Sequence, residues 1–144
     1  MPSPLDPKLP TKLGLKPSQR VAILDSPKGF QSAMEVLVPG VEIRPNLRSK
    51  KDFDFILLFA PKAAHLRRRM VGLPDRLDPD GSLWIAWPKK SSPLAGDLDH
   101  ASVQQAGLNA GMVDNKICAV DDDWSGLRFV FRLQDRPKIR AQRL

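Results

Sequence analysis

Residues 53–60, Phe-Asp-Phe-Ile-Leu-Leu-Phe-Ala, are the stretch that decides the fold. Every residue except Asp54 is apolar, so a strand formed here would have both of its faces buried. Such strands are typical of parallel sheets that are covered by helices on each side. Residues 20–24 (RVAIL) form a second apolar run that ends in the turn-forming sequence DSPKG, and they predict another buried strand.

Helical and extended patterns alternate along the rest of the chain. Apolar spacing predicts helices over residues 30–37, 63–73 and 99–110, and strands over residues 41–43, 82–87, 116–121 and 127–133. Residues 78–81 (DPDG) predict a turn, and the link over residues 122–126 is short enough to join only antiparallel neighbours. The expected fold is a single three-layer α/β domain with a mostly parallel, Rossmann-like sheet of about six strands that ends in an antiparallel hairpin.

The length of 144 residues predicts one domain. We expect a proline-rich N-terminal arm over residues 1–10, the α/β domain over residues 11–133 and a basic tail over residues 134–144. The single cysteine, Cys118, excludes an intramolecular disulfide. Since no apolar run is long enough for a signal peptide or a membrane span, a cytoplasmic location without membrane contact is expected.

The net charge of +7 is concentrated near the C-terminus. Residues 132–144 contain five basic residues against one aspartate. A solvated, frayed terminus is the favoured interpretation, because this stretch has too little apolar area to offset the cost of ordering it. Weak, non-specific contact with nucleic-acid phosphates is the alternative.

The order of elements resembles a shortened S-adenosylmethionine methyltransferase fold, in which a parallel sheet ends in an antiparallel hairpin strand. Residues 77–83 (LDPDGSL) resemble the turn before the strand that precedes the penultimate helix, and residues 13–17 (LGLKP) resemble the lead-in to the first strand. The resemblance covers most of residues 13–133 and implies a methyltransferase-like architecture.

The loop after the first predicted strand departs from that pattern. Methyltransferases of this fold usually have a glycine-rich loop here, where small residues let the backbone approach the cofactor. Residues 25–29 (DSPKG) contain one glycine, Pro27 has no N–H to donate, and Lys28 would place a cation beside a sulfonium. Residues 43–53 are too few for the usual helix–strand–helix, and only Glu42 could supply the acidic ribose-binding residue. We therefore expect no cofactor.

Three blocks resemble a family of small uncharacterised bacterial proteins, one of the domains of unknown function. The blocks are residues 87–92 (WPKKSS), 111–116 (GMVDNK) and 119–130 (AVDDDWSGLRFV). The resemblance extends from about Leu13 to Arg132. It implies a bacterial source and a stand-alone domain, and it implies no activity.

Three of the predicted strands are followed by Pro-Lys. The lysines are Lys28 after the first strand, Lys62 after the third, and Lys89 and Lys90 after the fourth. Because the carboxyl ends of parallel strands share one edge of a sheet, where ligands bind in open α/β folds, these lysines are expected on one rim. Lysines beside helix N-termini favour an anion.

The turn of the predicted hairpin lies at the same edge and adds further candidates. Trp124 could stack on a base or an aromatic ring, Ser125 lies beside it, and Ser91 follows the lysine pair. The acidic run at residues 121–123 is a possible Mg²⁺ ligand set, although a solvated acidic turn is the favoured interpretation, and no metal is predicted.

The residue types needed for nucleophilic catalysis are sparse. His65 and His100 are the only histidines and both are expected to be exposed, and no G-x-S-x-G motif is present. A Ser–Lys pair of Ser91 with Lys89 or Lys90 is suggested by spacing alone.

The function expected from these patterns is binding of an anionic or phosphorylated small molecule, including a nucleotide, at the carboxyl edge of the sheet. A divergent methyltransferase or another small transferase is the alternative, and an interaction protein that contacts nucleic acid through its tail is a second alternative. The balance favours a protein without catalytic activity.

Overall fold

A six-stranded mixed sheet lies between two layers of helices in the computed structural model, which describes residues 5–144. The strands are β1 (Val21–Leu24), β2 (Ile43–Arg44), β3 (Phe53–Phe59), β4 (Leu77–Pro88), β5 (Met112–Ala119) and β6 (Trp124–Phe131). Their order is β2-β1-β3-β4-β6-β5. The first four in this order are parallel, and β6 is antiparallel to both of its neighbours. The predicted architecture, including the terminal antiparallel hairpin, is confirmed.

Five short α-helices in residues 5–144 flank the sheet. They are α1 (Leu9–Leu13), α2 (Phe30–Leu37), α3 (Ala63–Met70), α4 (His100–Asn109) and α5 (Arg136–Gln142). None of the helices formed by residues 5–144 has the length and apolar character that crossing a membrane requires.

The sheet buries a separate apolar cluster on each face. Leu13 and Phe30, from α1 and α2, belong to one cluster, and Leu66 and Val103, from α3 and α4, belong to the other. On the first face, the indole N–H of Trp84 donates to the Leu13 carbonyl oxygen at 2.8 Å. Both faces of the central strands are therefore covered, as the almost entirely apolar sequence of residues 53–60 predicts.

Residues 78–81, which were expected to form a turn, are an irregular part of β4. The register between β3 and β4 changes from Phe53 opposite Leu77 to Phe55 opposite Ser82, so β4 contains extra residues at this point. Gly81 fits there because a Cβ atom on it would lie 2.9 Å from the Asp54 carbonyl oxygen. The prediction of a turn was wrong because a bulge uses the same residue types as a turn.

The hairpin strands start earlier than expected. Residues 124–126 were predicted as part of a turn, but they begin β6, with Gly126 opposite Ala86 of β4. A Cβ atom on Gly126 would lie 3.1 Å from the Trp84 ring. This glycine therefore marks a close approach inside the sheet and not the end of a strand.

The N-terminal segment packs onto the domain. Leu9 and Pro10 are buried within α1, so the predicted boundary between residues 10 and 11 falls inside a helix. Residues 1–4 of the predicted arm lie outside the described residues. From Leu5 onward, the segment contributes to the apolar cluster beneath α1 and α2.

The C-terminal tail is folded, which corrects the expectation of a solvated terminus. Residues 136–142 form α5, and Ile139 packs against the cluster that contains Leu66. Arg140 lies 2.7 Å from an Asp80 carboxylate oxygen and 3.6 Å from Asp78. The tail therefore docks through Ile139 together with ion pairs to the irregular part of β4, contacts that the composition of the tail alone does not show.

Arg143 makes the most extensive of these contacts. Its guanidinium donates to an Asp52 carboxylate oxygen at 3.0 Å, to the Pro74 carbonyl oxygen at 3.0 Å, and to the carbonyl oxygen of Leu77. The side chain is 23% exposed. Arg143 therefore joins the chain terminus to the start of β3 and to the start of β4.

We expect Arg143→Gln to lower the free energy of unfolding by about 2 kcal/mol, because partly buried carbonyl and carboxylate acceptors lose a charged donor. Thermal melting should show a decrease of several degrees in Tm. Lys138→Gln is the matched control, since it removes the same charge from an exposed position of α5. Equal stability of the Arg143→Gln variant and the unmodified protein would contradict a docked tail.

Candidate anion-binding cleft

The carboxyl ends of β1, β3 and β4 meet at one edge of the sheet because these strands are parallel. The Pro-Lys pairs follow these strand ends. Lys28, Lys62 and Lys90 are exposed, whereas Lys89 is half-buried. All four lysines therefore share one edge of the sheet, and the cavities at that edge decide which of them converge.

One open cleft of about 430 Å³ lies at the end of β4. We call it the Lys89 cleft, and its lining consists of Trp87, Lys89, Lys90, Asp99, His100, Ala101 and Ser125. It brings together three of the predicted ligand-binding residues, namely Lys89, Lys90 and Ser125. Lys28, Lys62 and Ser91 are not among the lining residues.

The polar groups of the predicted residues in the Lys89 cleft are free to contact a ligand. Within residues 5–144, the ammonium groups of Lys89 and Lys90 form no hydrogen bond and no ion pair shorter than 4.0 Å, and the Ser125 hydroxyl forms no hydrogen bond. Two cations and one hydroxyl group are the residue types that bind a phosphate or a carboxylate.

Two hydrogen bonds to Asp123 hold the segment that contains the lysine pair. The Ser92 hydroxyl donates to an Asp123 carboxylate oxygen at 2.8 Å, and the Lys89 N–H donates to the Asp123 carbonyl oxygen at 2.8 Å. Ser92 is 7% exposed. Ser91, the predicted ligand-binding residue, is exposed outside the cleft, and its neighbour Ser92 is the one that joins this segment to Asp123.

The acidic turn after β5 is organised by its own backbone. One carboxylate oxygen of Asp121 accepts from the Asp123 N–H at 2.8 Å and from the Trp124 N–H at 2.9 Å. In the described part of the chain, no three His, Cys, Asp or Glu side chains lie close enough together to hold a metal ion. The contacts of Asp121 and Asp123 are those of a turn with internal caps.

The first turn of α4 forms one wall of the Lys89 cleft. Asp99 caps this helix by accepting the Ser102 N–H at 2.8 Å, and the Ser102 hydroxyl accepts the Asp99 N–H at 3.0 Å. The Ser102 N–H lowers the pKa of Asp99, and the positive charge of Lys90 adds to this effect. The predicted N-cap at Asp99 is confirmed.

His100 was missed as a candidate, although its position directly after an N-cap placed it at a helix start. Its ring is exposed and lies 6.3 Å from the ring of Trp87, measured between centroids, in an edge-on arrangement. Trp87 itself is 6% exposed. The exposed imidazole of His100, edge-on to the buried indole, gives the cleft an aromatic surface.

Trp124 does not offer a stacking surface, which corrects the sequence-based expectation. Its side chain is 7% exposed and packs edge-on against Phe59, with ring centroids 5.0 Å apart. It belongs to the apolar cluster beneath α1 and α2. The prediction was wrong because it assumed that Trp124 lies in a turn, whereas Trp124 is the first residue of β6.

The N-terminus of α3, next to Lys62, already has an acidic partner from the chain. The Ala63 N–H donates to an Asp97 carboxylate oxygen at 2.8 Å. The loop before α4 lies against this turn, since a Cβ atom on Gly96 would be 3.0 Å from the Pro61 carbonyl oxygen. An external anion would therefore compete with Asp97 at this helix end.

Asp25 closes the crevice between β1 and β3, which is the topological switch point of the sheet. Its carboxylate accepts two hydrogen bonds from Arg69 at 2.7 Å and lies 2.8 Å from Nε2 of His65. Its backbone has φ of +58°, an uncommon conformation for a residue with a side chain. The hydrogen bonds from Arg69 lower the pKa of Asp25, and His65 adds to the effect.

This cluster was also missed in the sequence analysis, which expected His65 to be exposed. The side chain of His65 is 25% exposed because it contacts Asp25. His65 and Arg69 are four residues apart and therefore lie on one face of α3. The spacing of His65 and Arg69 is visible in the sequence, but it does not identify Asp25 as their partner, because Asp25 is distant in sequence.

Comparison with protein families confirms the resemblance to a domain of unknown function. The family model described as "Protein of unknown function (DUF3052)" matches residues 47–133, a range that contains all three of the sequence blocks noted above. No curated protein sequence matches the chain.

Comparison with solved structures shows the methyltransferase-like fold. A candidate type 11 methyltransferase from Sulfolobus solfataricus superposes with a TM-score of 0.57 at 16% identity, over 90% of this chain and 94% of that one. PigF with SAH superposes with a TM-score of 0.58 at 11% identity, over 88% of this chain and 62% of that one. At such identities the likeness concerns the fold alone.

The chain spans less than two thirds of the length of several of the solved structures that it matches. It spans 58% of the length of ribosomal protein L11 methylase from Lactobacillus delbrueckii subsp. bulgaricus, which is 16% identical over 78% of this chain with a TM-score of 0.49.

We expect Asp25→Asn to lower the free energy of unfolding at pH 7 by about 1 kcal/mol, the upper end for a partly exposed ion pair. Asparagine tolerates a positive φ, so the loss reports the charge. Because folding lowers the pKa of Asp25, its contribution is present above about pH 4 and disappears as the pH falls further. Denaturant unfolding of both proteins from pH 7 to pH 3 should therefore show converging stabilities.

Asp75→Asn is the control for this comparison, because it removes the same charge from an exposed residue. The free energy of unfolding of the Asp75→Asn variant should stay close to that of the unmodified protein at every pH. A difference between Asp25→Asn and the unmodified protein that grows below pH 4 would contradict the assigned direction of the pKa shift.

We also expect no useful affinity for S-adenosylmethionine, because Pro27 and Lys28 occupy the loop after β1 and the Asp25 cluster joins β1 to α3 across the crevice. Titration calorimetry with the cofactor and with its demethylated product should give dissociation constants no tighter than about 1 mM, roughly −4 kcal/mol. A micromolar constant for either compound would contradict this expectation.

Proposed function

This chain belongs to the DUF3052 family of proteins of unknown function, and we propose that it is a small binding module for an anionic or phosphorylated ligand, held in the Lys89 cleft. The convergence of Lys89, Lys90 and Ser125, whose side-chain polar groups form no hydrogen bond and no ion pair within 4.0 Å in residues 5–144, is the observation that supports the proposal. Charged groups that stabilise a fold are usually paired, so free groups gathered in a cleft favour a role in binding.

A phosphate group suits the chemistry of the cleft. The two ammonium groups offer positive charge, and the Ser125 hydroxyl can donate a hydrogen bond. Asp99 lies in the same cleft, but its carboxylate is committed to the cap of α4. Net positive charge in a recess of moderate depth suits an anion with several oxygen atoms.

A nucleotide is the member of this class that would use the rest of the cleft. The exposed ring of His100, seated on Trp87, provides a surface on which a base could stack. The volume of about 430 Å³ lies within the usual range of small-molecule sites.

We propose binding without catalysis. A serine nucleophile needs a base within hydrogen-bond distance, and the Ser125 hydroxyl makes no hydrogen bond in the described part of the chain. Of the two histidines, His65 contacts Asp25 on a different part of the edge, and His100, which lines the cleft, forms no hydrogen bond with Ser125 in residues 5–144. Methyl transfer finds support in the fold only, and the fold is shared by proteins of many activities.

Contact with nucleic acid through the tail receives less support than the sequence suggested. Arg136, Arg140 and Arg143 each lie within 4.0 Å of an aspartate. Their charge is therefore partly neutralised within the chain and is less available to external phosphates.

The proposal is tested by the thermal stability of the protein in the presence of inorganic phosphate and ADP. A ligand at about one hundred times its dissociation constant stabilises the folded state by about 2.7 kcal/mol, which raises Tm by several degrees. The Lys89→Gln/Lys90→Gln variant should lose the increase in Tm. Sodium chloride at matched ionic strength separates specific binding from a general salt effect.

Lys28→Gln/Lys62→Gln is the matched control, because it removes two exposed lysines from the same edge of the sheet but outside the cleft. It should keep the increase in Tm. If both double variants lose the increase equally, the binding is a property of the whole edge. If neither anion raises the Tm of the unmodified protein, the proposal is wrong.

A further inference from the structure

A second, apolar groove of about 410 Å³ lies between α3 and α4. Leu66 and Leu98 form its floor and are almost fully buried, while Ala63, Met70 and Ala106 are partly buried along it. The two helices run parallel, since each follows one parallel strand and precedes another. The groove therefore extends over about two helical turns, or roughly 10 Å.

The charge along the two helices is positive, and the carboxylates that cap them lie at their N-terminal ends. Helix α3 contains three arginines and no acidic residue, and α4 contains no Asp, Glu, Lys or Arg at all. Arg67 is the charged residue that lines the groove. The nearest aspartates in sequence, Asp97 and Asp99, precede α4 and cap the N-termini of the two helices.

Two features of the groove are those of a protein–protein interface. Interfaces are enriched in Met and Arg and depleted in Lys, Glu and Asp, and none of these three depleted types lines the groove, although Ala and Ser, which are also depleted in interfaces, do line it. Met70 and Arg67 lie on the α3 side, and the α4 side presents the neutral polar residues Ser102, Gln105 and Asn109. Val71, which directly follows Met70, is 83% exposed, so apolar surface continues past the end of the groove.

We propose that the groove between α3 and α4 is a docking site for an acidic amphipathic helix of a partner protein. The apolar ridge of the partner helix, with large residues at i, i+3, i+4 and i+7, would lie between Leu66 and Ala106. Carboxylates beside that ridge would face Arg67, with amide groups of Gln105 and Asn109 on the other side. This site is separate from the Lys89 cleft and does not depend on the function proposed for it.

Other occupants fit the groove less well. A second copy of this chain that docked through the same face would bring two sets of α3 arginines together, which disfavours a symmetric dimer. An anionic membrane surface is flat, whereas a groove between two helices accepts the protruding side chains of a third helix.

The test uses two fluorescein-labelled helical peptides that share the same leucine spacing, one with glutamates and one with lysines beside the leucines. Fluorescence anisotropy with the full chain should show that the glutamate peptide binds about tenfold more tightly than the lysine peptide, because of Arg67 and its neighbours. The difference should shrink at high salt. Arg67→Gln, a change at an exposed position, should reduce the preference.

Ala106→Glu places a long charged side chain in the middle of the groove and should weaken binding of the glutamate peptide at least about tenfold. Ala64→Glu is the matched control on the exposed face of α3 and should leave binding unchanged. Thermal melting establishes that each variant is folded, and Arg67→Gln remains as the test if Ala106→Glu is not. The proposal would be overturned if the unmodified protein bound both peptides equally well, or if it bound neither peptide at about 1 mM. It would also be overturned if Ala106→Glu and Ala64→Glu lost affinity for the glutamate peptide to the same extent. Binding to phosphatidylserine vesicles without binding to either peptide would overturn it in favour of a membrane surface.

Discussion

The absence of any solvent-facing side on β3 is the constraint on which the rest of the structure depends. Six of its seven residues are fully buried, so the strand needs helices on both faces and strands on both edges. Parallel neighbours at both edges require crossover connections, and these bring the carboxyl ends of β1, β3 and β4 to one edge. The Lys89 cleft exists at that edge because β4 ends there beside the turn between β5 and β6.

Arginines hold together the parts of the chain that the apolar layers do not reach. The guanidinium of Arg76 donates to the carbonyl oxygens of Leu47, Ser49 and Lys51, which are in the short connection between β2 and β3. Arg76 and Arg143 both pair with Asp52, and this links the same connection to the C-terminus. Loops that are too short to build a core of their own can be ordered by the five donors of one guanidinium.

The sequence predicted most of the sheet because buried strands are local features. Continuous apolar runs and helical spacing depend on residues within one element, and the cap at Asp99 depends on its immediate neighbours. The start of β6 was not predictable in this way, since Gly126 is required by the ring of Trp84, which is distant in sequence. The docking of α5 depends on pairs such as Arg143 with Asp52, and no local pattern shows such pairs.

The same distinction explains why the candidate site was only partly predicted. The Pro-Lys pairs placed four lysines at one edge, but which of them share a cleft depends on how the loops pack. The loop before α4 places Asp97 at the helix end next to Lys62, and the Ser92–Asp123 hydrogen bond holds Lys89 and Lys90 next to Ser125. Lys62 and Lys89 each follow a proline at the end of a strand, yet tertiary contacts give them different surroundings.

The net charge of +7 is a poor guide to function in this protein, because the two types of cation have different roles. The arginines of α3 and α5 that contact carboxylates, such as Arg69 and Arg140, stabilise the fold. Guanidinium groups suit that role since they are planar and bind carboxylates through two N–H groups. Lysine is a flexible point charge that gains little from one fixed partner on the surface. Arginines that already have acidic partners are accounted for by the fold, so the support for a ligand rests on the convergence of Lys89, Lys90 and Ser125 in one cleft. This is why the charge at the Lys89 cleft supports a binding function more strongly than the greater charge of the tail.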